Sequence, residues 1–464
     1  MAVLLAAFTM ARAEAYTGNE IRAVWLTTVE SLDWPHIKAV DNASMLRQQH
    51  ELTALLDTLR LAGINTVLLQ VRLRGTVIYP SELEPWDECL TGKAGRSPGY
   101  DPLRFAIDEA HKRNMELHAW VVTTKAGGWN TFGCRTLRRK YPKVMKRVGN
   151  DGYMNPEIAQ TGDIIASICA EIARNYDIDG IHLDYIRYPD GWRMKVSRQQ
   201  GRANITSIVR KIHDAVKAVR PSIKMSCSPI GKYRDLSLYS SGGWNAYNTG
   251  CQEAQAWLRD GLMDQLYPMM YFRGNQFFPF ALDWTEHSYG KDVVAGIGAY
   301  FLDRRYGKWN IMEVKRQVNF ARFIGMGICF FRASFLVDNT QGLYEYMRYE
   351  HDYAWQIINC GDEEEGNVAA KETDGEDRAD IGDVAYAGPE RLWNDGNYMQ
   401  LPEKGSGLDA DYVIIETLQG VAVKTLPYKG EKADIRSVAA GYYFVRSLGR
   451  KGRTHRIGFT EIKR

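Results

Sequence analysis

Apolar and polar positions along this chain follow two alternating rhythms. Short runs that alternate apolar with polar residues are followed by longer runs with apolar residues every three or four positions. The first spacing belongs to a strand, the second to an amphipathic helix. The most informative run is Asp179-Gly-Ile-His-Leu-Asp-Tyr-Ile-Arg-Tyr-Pro189, which begins where a helical pattern ends at Asn175. Ile181 and Leu183 fall on one side of this strand, His182 and Asp184 on the other. Helical patterns flank it, so its outer face is covered. In a closed barrel His182 and Asp184 then point inward, with Asp184 near the C-terminal mouth. A carboxylate there has to be hydrogen-bonded, paired or functional, because an unpaired buried charge is very costly.

The same alternation predicts strands over residues 21–28, 65–72, 116–123, the run from Gly180, 224–231, 265–271, 291–300 and 327–332. Helices are predicted over 44–61, from Asp101-Pro102 to about 113, and over 157–175, 209–219, 252–259, 280–287, 311–324 and 342–357. Asp101 reads as an N-cap with Pro102 at the first helical position, and Gly63 as a stop signal. Residues 73–100 and 124–156 read as long loops. Eight strand–helix units in about 340 residues match a (β/α)8 barrel, an α/β TIM-barrel fold. A doubly wound sheet is the alternative, but Thr27-Thr-Val-Glu30 after the first strand is not its Gly-rich phosphate turn.

After Cys360 the pattern changes. Residues 361–383 are acidic and poor in apolar residues and read as a solvated linker. From residue 384 to 464, strand patterns at 412–416, 420–424 and 441–446 predict a small all-β, sandwich-like module. Residues 16–360 form the barrel domain in this reading. Residues 1–15 are apolar and end in a small-x-small pattern at Ala11-Arg-Ala13. They read as the remains of a secretory signal without a basic n-region, which predicts export to the periplasm, cell envelope or exterior.

The chain has 464 residues, 45% of them hydrophobic, enough for a large core and a second domain. A net charge of +3 gives no electrostatic case for a nucleic-acid partner. No stretch beyond the leader reads as a transmembrane helix. The seven cysteines are scattered and never form CxxC, so neither a disulfide framework nor a zinc site is expected, and no cofactor is implied. The 26 Tyr and 12 Trp suit contacts with carbohydrate, although single aromatics are usually core.

Active sites of such barrels lie at the strand C-termini. There the pattern places Trp25, Gln70, Arg72, Trp120, His182, Asp184, Arg187, Ser228, Tyr267, Tyr271 and Arg332. Polar groups and aromatic plates around one carboxylate fit a sugar subsite better than a nucleotide site.

Several motifs then converge: Glu20-Ile-Arg-Ala-Val-Trp-Leu-Thr-Thr with Asp33-Trp-Pro35, Gln70-Val-Arg72, Tyr79-Pro-Ser81, Glu84-Pro-Trp86, the run from Asn175 to Pro189, Ser228-Pro-Ile-Gly-Lys-Tyr233, Gly243-Trp-Asn-Ala-Tyr247 and Asp260-Gly-Leu-Met-Asp264. In this order they resemble the glycosyl-hydrolase-like family ten over about residues 20–350. The resemblance implies a barrel in the bacterial envelope, acting on peptidoglycan glycan strands stripped of stem peptides. It also implies Asp184 as the central acid and Arg72, Tyr185, Arg187 and Tyr271 as groove residues. One departure stands out: Thr76 follows Gly75 where relatives are expected to carry an acid. The fourth strand also resembles the Asp-Gly-x-Asp-x-Asp-x-Glu strand of family 18 chitinases. There His182 replaces an earlier Asp and Ile186 the general-acid Glu, which argues against an acetamido-assisted mechanism.

Glycoside hydrolysis normally takes two carboxyl groups. Asp184 is one. Glu82, Glu84 and Asp303 are the candidates for the second, with Asp87 and Asp190 also considered. The expected function is hydrolysis of a β-linked amino-sugar glycan, and the alternative is a silent barrel that binds such glycans.

Overall fold

The computed structural model describes residues 20–350, 392–401, 411–417, 422–428, 432–448 and 454–463. The leader (1–15) and the acidic linker (361–383) lie outside the described residues. The chain divides into two compact units, Met1–Arg348 and Tyr349–Arg464.

The first unit is a closed barrel of eight parallel strands: β1 Arg22–Leu26, β2 Thr66–Leu73, β3 Glu116–Val122, β4 Gly180–Asp184, β5 Lys224–Cys227, β6 Gln265–Leu266, β7 Asp292–Ile297 and β8 Gly327–Phe331. Each pairs in parallel with the next, and β8 closes on β1. Closure removes every sheet edge, which makes an all-parallel sheet self-sufficient in backbone hydrogen bonds. The predicted strands are all present. The sixth is cut to two residues because Pro268 has no N–H for the ladder, and pairing resumes only as single bridges from Met269 to Ile230 and Gly296.

Helices cover the outside where the sequence places them, most with small shifts at their ends. The helix read at 209–219 begins at Arg198. Of the one read over 342–357, the described part is Leu343–Glu345 followed by a π-helical turn, Tyr346–Glu350, with 351–357 outside the described residues. Asn42–Leu61 starts two residues earlier than its apolar run, behind a capping box of Asp41 and Ser44. Asp101 caps Pro102–His111 through the Arg104 N–H. The region read as a loop from 124 to 156 is instead a small antiparallel sheet, Lys125–Gly128, Met145–Val148 and Asp151–Met154, with the helix Phe132–Lys140. Among the described residues no helix is long and apolar enough to cross a membrane.

Alternation along β4 sends Ile181 and Leu183 outward into the helix layer, both fully buried. Gly180, His182 and Asp184 face the barrel interior at rising levels. Gly180 is required at the floor, where a Cβ would lie 2.5 Å from the His118 ring. His182 fills the middle with Trp25 and Tyr267 edge-on at 6.1 and 5.1 Å. Its Nε2 accepts from Trp25 Nε1 (3.3 Å), so Nδ1 carries the proton and donates to Ser226 Oγ (2.9 Å).

The second unit contains a four-stranded antiparallel sheet in the order Ala422–Pro427, Tyr412–Thr417, Gly441–Leu448, Thr454–Ile462, and a two-stranded pair, Tyr398–Gln400 with Lys432–Asp434. Val413, Ile415, Tyr443, Val445 and Ile462 share its core with Met399 and Ile435, so both sheets bury one face against a common interior.

Burial, and secondarily the charge of His118, holds the His182 imidazole well below its ordinary pKa. The unfolded chain takes up this proton as pH falls through about 6.5, and the folded barrel does not. This contribution to stability is therefore present above about pH 6.5 and is lost below it, by up to about 1.4 kcal/mol per pH unit. Urea unfolding at pH 7.5, 6 and 5 should show a steeper loss for the wild type than for His182→Asn; equal slopes would contradict the neutral interior histidine.

Candidate active site

β4 ends at Asp184 because Tyr185 turns into the left-handed region, φ 53°. That turn aims the Tyr185 N–H back at Asp184 Oδ1 (2.7 Å). Ser228 Oγ, just beyond β5, donates to the same oxygen at 2.9 Å, and Trp120 Nε1 on β3 donates to Oδ2 at 3.2 Å. The Asp184 carbonyl in turn accepts from the Thr123 N–H and hydroxyl at 2.8 and 2.7 Å. Three donors from three strands thus fix the carboxylate, and none is a cation. Asp184 is 7% exposed, buried by its neighbours yet open at the mouth.

Aromatic rings surround it. Tyr271 packs 5.5 Å from Phe331 and 5.7 Å from Tyr300, and edge-on to Trp25 at 6.4 Å. The Tyr185 ring carries the Arg187 guanidinium at 4.3 Å and Lys125 Nζ at 5.2 Å. Lys125 comes from the small antiparallel sheet and pairs with Asp151 at 3.3 Å. Tyr153, from the same sheet, is buried beside them.

Of the sequence-predicted residues, Asp184, Trp120, Ser228, Tyr185, Arg187 and Tyr271 therefore come together. Trp25, His182 and Tyr267 lie one level lower, as the fully packed floor. Tyr267 donates downward to Gln265 Oε1 (3.1 Å). Gln70 is committed to the β1 loop, where its Oε1 accepts from the Thr28 and Val29 N–H groups at 3.1 and 2.9 Å.

Four placements differ from expectation. Arg72 does not reach the mouth. The β2–β3 register slips between Gln70 and Arg72, and such a bulge reverses the facing of everything after it. Leu73 turns inward in its place, and Arg72 turns outward, fully buried. There it binds Glu84 through two hydrogen bonds, Nε to Oε2 at 2.8 Å and Nη2 to Oε1 at 2.6 Å. Glu84 is thus a buried counterion and not a free acid. Asp303 is held by Arg305, whose hydrogen bonds keep its carboxyl below the usual range, the opposite of what a proton donor needs. Arg332 is drawn away from the mouth to the β1 loop, donating to Leu32 O and Ser334 Oγ (2.7 Å each) and to Asp33.

The remaining acids are equally accounted for. Glu82 is exposed in a surface hollow lined by Asp163, Glu171, Lys211 and Asp214, on the outer helix layer. Asp87 is buried and accepts from Thr76 Oγ1 (2.5 Å) and the Cys89 N–H (2.7 Å), so an acid at position 76 would confront a second carboxylate. Asp190 is exposed and bonded only to its neighbour's N–H among the described residues. Acids beyond strand ends that went unpredicted include Glu30, after β1, paired with Arg74 at 2.5 Å, and Asp151. Glu30 follows a strand end directly and was open to that reading. Asp151, Lys125 and Tyr153 belong to the sheet that reads as loop.

The model of the family described as "Glycosyl hydrolase-like 10" matches residues 20–200 and 196–298. The chain belongs to that family. It is 32% identical over 294 residues to the glycosyl hydrolase YngK of Bacillus subtilis (strain 168), covering 56% of each chain. To the glycosyl hydrolase DigH of Escherichia coli (strain K12) it is 33% identical over 292 residues, 55% of this chain and 66% of that protein. The match thus spans less than two thirds of either relative. Among solved structures it is similar to α-L-fucosidase isoenzyme 2 from Paenibacillus thiaminolyticus, with a TM-score of 0.49 at 15% identity, covering 72% of this chain and 50% of that one.

Removing one member of the Arg72–Glu84 pair leaves a buried charge unpaired. Glu84→Gln should cost about 3–5 kcal/mol in urea unfolding, against less than about 0.5 kcal/mol for Glu82→Gln on the surface. Similar small losses for both would return Glu84 to the list of free acids.

Proposed function

We propose that this protein is an exported glycoside hydrolase acting on a β-linked amino-sugar glycan, with peptidoglycan glycan strands as substrate and Asp184 as its central carboxylate. The observation that carries the reading is the setting of Asp184: a strand-end carboxylate at the barrel mouth, fixed by Trp120, Tyr185 and Ser228, with aromatic faces around it. Aromatic plates bind the apolar faces of sugar rings, and a fixed carboxylate faces the positive charge that builds at the anomeric carbon. In this reading Asp184 stabilises or attacks that oxocarbenium-like centre without having to reorganise. The family and the names of its two relatives support action on a glycan.

A second reading, glycan binding without cleavage, is favoured by one observation. Glu82, Glu84 and Asp303 do not converge on Asp184, and each has other surroundings. If cleavage occurs, acids in the loops beyond the strand ends, Glu30 and Asp151 among them, are where a partner would come from.

Asp184→Asn discriminates the two readings. It removes the charge and leaves no cation orphaned, because every partner of Asp184 is a neutral donor. One hydrogen bond, from Trp120, is lost, so stability should fall by only about 1–2 kcal/mol. Release of sugar fragments from peptide-stripped peptidoglycan should drop by about a thousandfold or more. Undiminished release by a folded variant would remove Asp184 from the chemistry. No release by the wild type, with the strands still retained in a pull-down, would establish the binding-only reading.

A further inference from the structure

Three buried arginines stand at or just beyond the C-terminal ends of barrel strands: Arg72, Arg187 and Arg332. The fold supplies two of them with a carboxylate, Glu84 for Arg72 and Asp33 for Arg332. Arg187 receives none. The residue is 9% exposed, its Nε and Nη1 are buried without a hydrogen-bond partner, and it makes no ion pair with a described residue. Its one close companion is the Tyr185 ring at 4.3 Å, which satisfies the flat face of the guanidinium and leaves its N–H edges open. Burying a cation this way is costly, and a fold does not keep the arrangement for stability.

The position of the group indicates what completes it. Arg187 lies three residues beyond Asp184. Both charges act on the half-buried Tyr271 phenol, Asp184 raising its pKa and Arg187 lowering it, within the larger upward push of desolvation. Arg187 also acts on Tyr153. The guanidinium therefore stands on the same side of the barrel as the central carboxylate, next to Tyr153 and Tyr185. The second cation there, Lys125, already has Asp151.

We infer that Arg187 is the subsite for a free carboxylate on the sugar, so that the site takes an acidic glycan and discriminates against its neutral counterpart. This rests on the glycan reading above. An arginine fork matches a carboxylate in two-point geometry, and charge-assisted bonds in a buried site are strong. Two acidic sugars offer this chemistry: an amino sugar with an ether-linked lactyl carboxylate, and a uronic acid. A peptide attached to the lactyl group turns the carboxylate into a neutral amide and removes what Arg187 would hold. Stripped strands would thus be preferred through recognition of a charge, beyond any relief of steric bulk.

Calorimetric binding to full-length Asp184→Asn protein tests this. The ligands are peptide-stripped peptidoglycan strands, the same strands with their carboxyls capped as methylamides, and an alternating amino sugar–glucuronate oligosaccharide. The free-carboxylate strands should bind at least about tenfold tighter than the capped ones. In Asp184→Asn/Arg187→Gln that ratio should fall to within about twofold, and Arg187→Lys should be intermediate, keeping charge without the fork. Tight binding of the glucuronate oligosaccharide alone would keep the carboxylate subsite and make a uronic acid its source. Equal binding of free and capped strands, or a tenfold ratio that survives Arg187→Gln, overturns the inference and leaves the glycan reading standing. Binding of none of the three overturns both. Thermal melts give an independent readout: the Gln variant should melt no lower than its parent, because no partner is orphaned. A marked drop would make Arg187 a structural cation.

Discussion

A carboxylate near the centre of a closed barrel survives only if the strands around it bring donors to it, and that requirement organises this molecule. Asp184 receives one N–H from the residue that follows it, one hydroxyl from beyond β5 and one indole N–H from β3. Each depends on strand parity and register being right at the same time. Beneath it, His182, Trp25, Ser226 and Tyr267 interlock as a polar but saturated floor that excludes other arrangements of the upper layer. The floor in turn needs Gly180 so that the His118 ring fits below.

Around this centre the charged groups are divided by function. Arg72 with Glu84 and Arg332 with Asp33 are internal bolts. Arg72 also donates to the Val122 and Thr123 carbonyls at the end of β3, and Asp33 accepts from Thr27 and Ser334, so each pair ties a mouth loop to a neighbouring strand. Such pairs add little net stability over apolar packing, yet breaking one is expensive, and that asymmetry suits the positioning of loops. Arg187 and Lys125 both lie near the Tyr185 ring; Lys125 is paired with Asp151, and Arg187 is left as the unpaired positive charge beside Asp184. Positive charge there would favour an anionic ligand and keep the central carboxylate from being the dominant field.

Much of the barrel was legible in the chain because its signal is local. Period-two runs between helical runs mark strands covered on their outer face, and eight of them in order leave few topologies. Inward placement of His182 and Asp184 follows from the same parity, and the cap at Asp101 was legible beside Pro102 because it acts within one helical turn. The family motifs carried the glycan class. The small sheet of residues 125–154 was not legible, since its strands are four residues long and are stabilised by packing over the mouth rather than by their own pattern.

By itself, then, the sequence determined the barrel, the strand that bears the central acid and the level at which that acid sits. These depend on periodicity, and periodicity is written in residue order. The tertiary structure decided which charges pair. A bulge in β2 turned Arg72 from the mouth into the arms of Glu84, and the β1 loop captured Arg332 through Asp33, 299 residues away in the chain. Arg187 was left without a carboxylate of its own. Ion pairing depends on distance in space between groups far apart in sequence, and no local pattern encodes it.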